Sequence, residues 1–394
     1  MIIFETLIRL NRMKLRLGIA FLLVGSLIEQ TNAQQIVTGQ DTTYRIITTA
    51  VPFLLISPDA RHAGLGDAGV ATSADANASY WNAAKLVFID QDYGGTVSYT
   101  PWLGKIVNDM SISYLSGFYK INREQVISAS MKYFDLGDIF LTTDGINGTN
   151  YNSRELALDF TYSRLLTENF SVGLTGRYIH SNLTGNFDGN GGSDAKPGNS
   201  VAMDIGVFYT KELKTKKPST LSLGGFISNI GAKISYSDDN NKNFIPTNLR
   251  LGGAFTTEVD PHNSFTFILD FNKLLVPTVD NGQLMLTGIF NSFTDAPGGF
   301  KEEMHEITMS SGIEYWYSET FAARLGYFLE ATDKGNRKYL TIGAGFRKKA
   351  FGFDVAYLVP TNGRENPLAE TIRFTLLFQV KKDQQSKALN SVTE

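Results

Sequence analysis

Residues able to do chemistry are sparse in this chain. The nearest approach to a ligand motif is Gly64-Leu65-Gly66-Asp67-Ala68-Gly69, a G-x-G-x-x-G run, with Asp90 downstream. In a dinucleotide site such glycines let a pyrophosphate reach the backbone at a helix start, but that reading needs a βαβ unit around them. None surrounds this run, so its glycines read as close backbone packing in a crowded interior. The histidines are His62, His180, His262 and His305. A serine hydrolase would set one beside a serine, and no G-x-S-x-G elbow is present. Asp188, Asn190 and Asp194 resemble part of a calcium loop, yet Asn199 stands where the closing glutamate belongs. The absence of cysteine removes disulfides, thiolate metal sites and thiol catalysis. The expectation is a protein with no catalytic residue, no metal and no cofactor.

What remains is a scaffold. The 394 residues carry 36 basic and 39 acidic side chains, a net charge of −3. With no basic excess to neutralise phosphates, nucleic acid is not an expected partner. Charged residues make up 19%, below the roughly 25% of ordinary soluble domains. Aromatics reach 12%, glycine is abundant, and no apolar run past residue 30 is long enough for a spanning helix. A multispan helical membrane protein is excluded, and a transmembrane β-barrel is favoured.

Residues 1–33 read as an export signal: Arg9, Arg12, Lys14 and Arg16 precede the apolar stretch Leu17–Leu27, and small Ala33 offers the cut. From residue 94 the hydrophobic period is two. Ile372, Phe374, Leu376, Phe378 and Val380 alternate with Thr371, Arg373, Thr375, Leu377 and Gln379. Similar rows recur, and fourteen such segments fit between 94 and 380. The expected fold is all-β: a 14-stranded antiparallel transmembrane β-barrel, its connections alternately short and long. Short turns belong in the periplasm and long loops outside, which places both termini in the periplasm of a Gram-negative outer membrane. Residues 381–394 form a polar tail.

The face opposite the apolar rows carries Lys132, Asp159, Arg177, Asp204 and Arg250, then Asp270, Glu314, Arg324, Asp354 and Arg373. A dry sandwich core could not take ten charges cheaply, whereas a wet lumen could, with acids and bases pairing there. Residues 34–93 lack the alternation and are expected to fold into that lumen as a plug, gripped by the charged wall. Two loop clusters are candidate partner surfaces: Trp102, Leu103 and Ile106 after the first strand, and Phe290 and Phe293 in the longest loop. Outer-membrane lipid contacts the remaining apolar exterior.

Three stretches carry a family resemblance. They are Arg61-His62-Ala63-Gly64-Leu65-Gly66-Asp67-Ala68-Gly69-Val70-Ala71, Asp75-Ala76-Asn77-Ala78 and Tyr80-Trp81-Asn82-Ala83-Ala84-Lys85-Leu86. They resemble the plug signature of the FadL-like outer-membrane barrel family, with Arg61, Gly64, Gly66, Asp67, Gly69 and Asn82 as its motif positions. Ala83 stands where the family usually has proline. Tyr99-Thr100-Pro101-Trp102-Leu103, Val107-Asn108-Asp109 and Tyr114-Leu115 are similar to the PorV (LptO) branch, from the type IX secretion system of Bacteroidota. The resemblance implies a non-enzymatic role. Such proteins dock beside the giant translocon barrel, bind the C-terminal signal domain of cargo, and shuttle it to an attachment complex of the sortase PorU with PorQ and PorZ. It also leaves open a FadL-like importer of hydrophobic small molecules, or a lipid A O-deacylase.

Overall fold

A computed structural model describes residues 45–102, 109–142, 148–183, 196–236, 242–278, 282–361 and 371–381. The export signal, Leu103, Ile106, the Asp188–Asp194 loop and most of the polar tail lie outside the described residues. Fourteen strands follow in chain order. They are β1 (Tyr93–Pro101), β2 (Ser111–Asn122), β3 (Gln125–Thr142), β4 (Gly148–Thr167), β5 (Phe170–Asn182), β6 (Gly198–Leu213) and β7 (Ser219–Gly231). The second half comprises β8 (Asn248–Asp260), β9 (Asn263–Leu274), β10 (Ile307–Tyr317), β11 (Phe321–Leu329), β12 (Lys338–Lys348), β13 (Phe351–Pro360) and β14 (Ile372–Val380).

Each strand pairs antiparallel with its sequence neighbours, and β1 closes on β14 from Tyr93↔Val380 to Tyr99↔Phe374. Closure leaves no unpaired sheet edge, the condition for placing strands in hydrocarbon. Along β14 the exposed positions are Ile372, Phe374, Leu376 and Phe378, while Arg373, Thr375 and Leu377 are buried. The apolar exterior is therefore contiguous, as an outer-membrane barrel requires. Among the described residues no helix is long and apolar enough to cross a membrane; the chain crosses with strands.

One strand pair outgrows its expected length. Beyond Asp135 the β3–β4 register shifts at a bulge where Gly137 has φ +77°, and pairing resumes at Asp138↔Asn152. Glycine tolerates that backbone, and pairing continues to Thr142↔Gly148, so most of the span that joins the two strands is itself strand.

The segment before β1 lies inside the ring. Helix α1 (Ala60–Ala63), helix α2 (Ala78–Trp81) and a 3-10 turn (Ala83–Phe88) are nearly all buried. Their partners come from all round the wall: Thr375 of β14, Thr341 of β12, Asp270 of β9, Val207 of β6 and Tyr114 of β2. No proline is needed at Ala83, because Asn82 accepts from the Ala84 N–H at 3.1 Å and starts the turn itself.

The direction of this segment is informative. Asp92 N–H bonds Val380 O at 2.9 Å, at the short-turn end of the barrel. Arg45, however, sits at the long-loop end, where its N–H reaches Asp333 O at 3.2 Å and its guanidinium reaches Glu302 at 3.0 Å. Ala50 N–H is bonded there to Phe244 O at 2.9 Å. The described chain thus runs from the long-loop mouth at Arg45 to the short-turn face at Asp92, and the termini expected in the periplasm lie outside the described residues. Periodicity sets strand direction but says nothing of which mouth a non-periodic segment enters.

The native chain lacks cysteine, so single cysteines report sidedness cleanly. Ile46→Cys and Thr287→Cys should react with an impermeant maleimide on the same face of intact cells, and Lys216→Cys should not. Labelling of Ile46→Cys together with Lys216→Cys would contradict this path.

Candidate functional site

The plug is built around Arg61. Asp59 caps α1 by accepting the His62 N–H at 3.1 Å, which aims Arg61 at the wall. The guanidinium grips Glu314 of β10 through two bonds, of 3.0 and 2.9 Å, and reaches Asp75 at 3.0 Å. Glu314 also accepts from Arg324 of β11 at 2.8 Å. Arg324 binds Asp354 of β13 at 2.8 Å, and Arg347 of β12 closes the row on Asp354 at 2.6 Å. Acid and base alternate along six side chains, so each charge has an opposite neighbour. Bidentate arginine–carboxylate pairs of this kind are among the strongest polar contacts.

Other wall charges hold the rest. Asp270 accepts from the N–H groups of Gly69 and Val70, at 2.6 and 2.9 Å. Asp67 accepts from Tyr339 at 2.6 Å and Arg373 at 3.2 Å. Arg177 bridges Asp159 and Asp204, at 2.7 and 3.0 Å. Asn82 donates to Val70 O and Val207 O, at 3.1 and 3.0 Å. All ten wall charges named from parity are buried. As expected of a wall that grips the plug, Glu314, Asp270 and Arg373 among them bind plug groups directly.

The glycine run does pack closely. Gly66 has φ +69°, and a Cβ there would lie 2.6 Å from the Tyr327 backbone. Across the contact, a Cβ on Gly326 would lie 2.0 Å from Gly66 N. Plug and wall meet backbone to backbone, which only glycine permits.

The plug also holds an arrangement that spacing did not reveal. His62 lies between Asp59 (Nδ1···Oδ2 2.8 Å) and Thr72 (Nε2···Oγ1 3.0 Å). That is the order of a hydrolase triad. The group is sealed, however: all three residues are fully buried. The Thr72 hydroxyl donates to Gly69 O at 3.1 Å, and Lys85 donates to both oxygens. No substrate carbonyl can reach Thr72, and Trp81 is fixed by its N–H to Asp59 at 2.7 Å. The arrangement acts as a polar core. Tyr339 was missed as a wall partner because its bond to Asp67 joins residues 272 positions apart, and Asp59 because nothing in its spacing marked it as a cap.

At the long-loop mouth a cavity of about 690 Å³ lies between the arm 45–57 and the strand ends. Trp102 is 9% exposed and packs edge-on against Phe134 at 6.2 Å, in a cluster with Val51 and Phe53. Trp102, expected on a partner surface, is instead buried: the plug arm supplies an inward apolar partner that the sequence pattern could not show. Phe290 (72% exposed) and Phe293 (46%) do lie at the surface, with Phe290 on helix α3 (Met285–Asn291). Helix α4 (Phe300–His305) follows, and Phe300 is 81% exposed.

Ion pairs tie this loop down. Lys273 meets Glu303 and Glu306, and Lys334 meets Glu302 and Glu306. The Lys334 hydrogen bond holds the Glu302 carboxyl below its ordinary range. Burial opposes the charge on Lys334, but its bonds to Glu302 and Glu306 outweigh that and raise it.

The family model described as Type IX secretion system protein PorV matches residues 39–281, more than half of the chain. The chain belongs to the PorV family. It is an outer-membrane component of type IX secretion, built as a closed 14-stranded antiparallel barrel. No curated protein matches it by sequence. Among solved structures, the CymD monoaromatic hydrocarbon channel is 13% identical, with 83% of this chain and 99% of that one covered and a TM-score of 0.50. A TodX deltaS2S3 mutant monoaromatic hydrocarbon channel is 11% identical, covering 82% and 99%, also at 0.50. A Pseudomonas aeruginosa FadL homologue is 12% identical, covering 85% and 99%, at 0.43. At these identities the likeness of CymD and TodX to the PorV-family chain concerns the fold alone.

Removing one partner of a buried pair leaves an uncompensated charge, at about 3–5 kcal/mol. Glu314→Gln should therefore lower the temperature at which the detergent-resistant barrel unfolds on gels, whereas Glu319→Gln, in an exposed turn, should not. Equal melting of the two variants would remove the charge row as the plug's main anchor.

Proposed function

We propose that this barrel is a carrier rather than a conduit. It receives the C-terminal signal domain of secreted cargo at the giant translocon barrel and delivers it to the attachment complex containing PorU, PorQ and PorZ. The host is a Bacteroidota cell, the long loops face outward, and the carboxyl end of the chain lies in the periplasm. The reading rests on one observation above all: the lumen is filled by a charge-locked plug while the long-loop side presents Leu284, Phe290, Phe293 and Phe300 unburied. Exposed apolar clusters of this kind favour protein partners. In this reading the protein performs no catalysis, consistent with the sealed surroundings of Thr72.

The mouth cavity favours a second reading, an importer of hydrophobic molecules, since the neighbours of similar fold are described as hydrocarbon channels. Arg61, Glu314 and Asp270 stand across such a route, which ranks it second.

Affinity purification from native membranes tests the choice. The tagged protein should bring down the translocon barrel and a signal-domain protein. Phe290→Asp combined with Phe293→Asp should reduce that recovery about tenfold, the loss expected when a hot-spot pair is removed. Undiminished recovery would remove this loop from the partner surface, and uptake of a fatty acid by liposomes carrying the protein would favour the importer.

A further inference from the structure

The short-turn face sorts its charges by the parity of the strands that end there. In β4 the outward row Leu158, Phe160, Tyr162 continues to Arg164, and in β6 the row Ile205, Val207, Tyr209 continues to Lys211. In β12 the exposed Ile342 and Phe346 are followed by Lys348. Each of these bases is exposed and stands two positions past an aromatic on the same row. Aromatics of this kind mark the edge of the hydrocarbon, so the bases stand at headgroup level on the outside of the barrel. The nearby acids do not share those rows. Glu212 and Glu258 fall on the opposite parity, and Asp260 is held by the His262 N–H at 2.9 Å and the Asn263 amide at 2.8 Å.

The β6–β7 connection concentrates the effect. Lys211, Lys214, Lys216 and Lys217 lie within seven residues, all exposed, with Glu212 the only acid among them. None of the four makes an ion pair among the described residues. The turn is nonetheless tied in place. Thr210 N–H bonds Asn169 O at 2.9 Å, the Asn169 amide bonds Thr210 O at 2.8 Å, and Glu258 N–H bonds Pro218 O at 2.9 Å. Four or more lysines held at a membrane boundary attract anionic headgroups. We propose that the β6–β7 turn binds the headgroup of an anionic phospholipid in the inner leaflet. An acyl chain lying along Ile205, Val207 and Tyr209 brings its phosphate to Lys211, whereas a soluble polyanion such as peptidoglycan would meet only Lys214, Lys216 and Lys217 at the tip. The continuity of the lipid-facing row with Lys211 therefore favours lipid. This seat uses the orientation proposed above, with short turns on the inner side, and is independent of the carrier role.

The purified full-length protein in detergent is offered an equal mixture of phosphatidylglycerol and phosphatidylethanolamine with matched acyl chains, and the lipid retained is counted by native mass spectrometry. Phosphatidylglycerol should be retained about tenfold over phosphatidylethanolamine. Lys211→Gln, Lys214→Gln, Lys216→Gln and Lys217→Gln combined should abolish the preference, and Lys211→Gln alone should lower it about fivefold. The same positions changed to arginine should keep it, and Lys301→Gln in the outer loop should leave it unchanged. Gel mobility before and after heating confirms that each variant is a folded barrel. Equal retention of the two lipids by the native protein, or a preference unchanged in the combined glutamine variant, would overturn the proposal. Co-sedimentation with purified peptidoglycan that survives Lys211→Gln, with no lipid preference, would overturn it in favour of the cell wall. Labelling of Lys216→Cys on intact cells would overturn the inner-leaflet placement alone, since the lipid preference in detergent does not depend on orientation.

Discussion

The structure depends on one constraint: a charge enclosed by a β-barrel inside a bilayer must find an opposite charge, a backbone dipole or an aromatic face within the same chain. Arg61 and Glu314 meet that constraint across the plug–wall boundary, and everything near them is arranged around it. Asp75 takes the remaining side of Arg61, while Arg324, Asp354 and Arg347 extend the alternation through three more strands. An ion pair buried this deeply contributes little net stability compared with apolar packing, but it penalises every misplacement of the plug. Its service is specificity, fixing one seating of a segment that has no strand pairing of its own.

Much of the barrel was legible in the sequence because a closed antiparallel sheet has a strict period of two. Thr371–Val380 shows why: apolar Phe374 and Leu376 face lipid while Arg373 and Thr375 face inward, and no other fold tolerates that inversion. The ten inward charges followed from the same parity. Their partners did not, since parity gives a facing direction and not a neighbour. Asp270 capping the N–H groups of Gly69 and Val70, or Tyr339 meeting Asp67, joins residues about two hundred or more positions apart. Trp102 misled for a related reason. An aromatic at a strand end looks alike whether it meets lipid, a partner or the chain's own plug arm, and here it meets the arm.

Function divides along the same line. The plug motif and the glycine packing identify a family and a closed lumen, both of which arise from local pattern. The exposed aromatics of the β9–β10 loop have no such signature, because their exposure is visible only once the loop has been placed. A filled lumen and a shaped outer mouth are what support the carrier role proposed above.

Ion conductance of the purified barrel in planar bilayers tests the central claim most directly. A plug locked to the wall by Arg61 and Glu314 predicts no steady current above the leak of the bare membrane. A stable, ohmic open pore in the native protein would contradict the closed lumen, and with it the argument that all traffic is handled at the outer mouth.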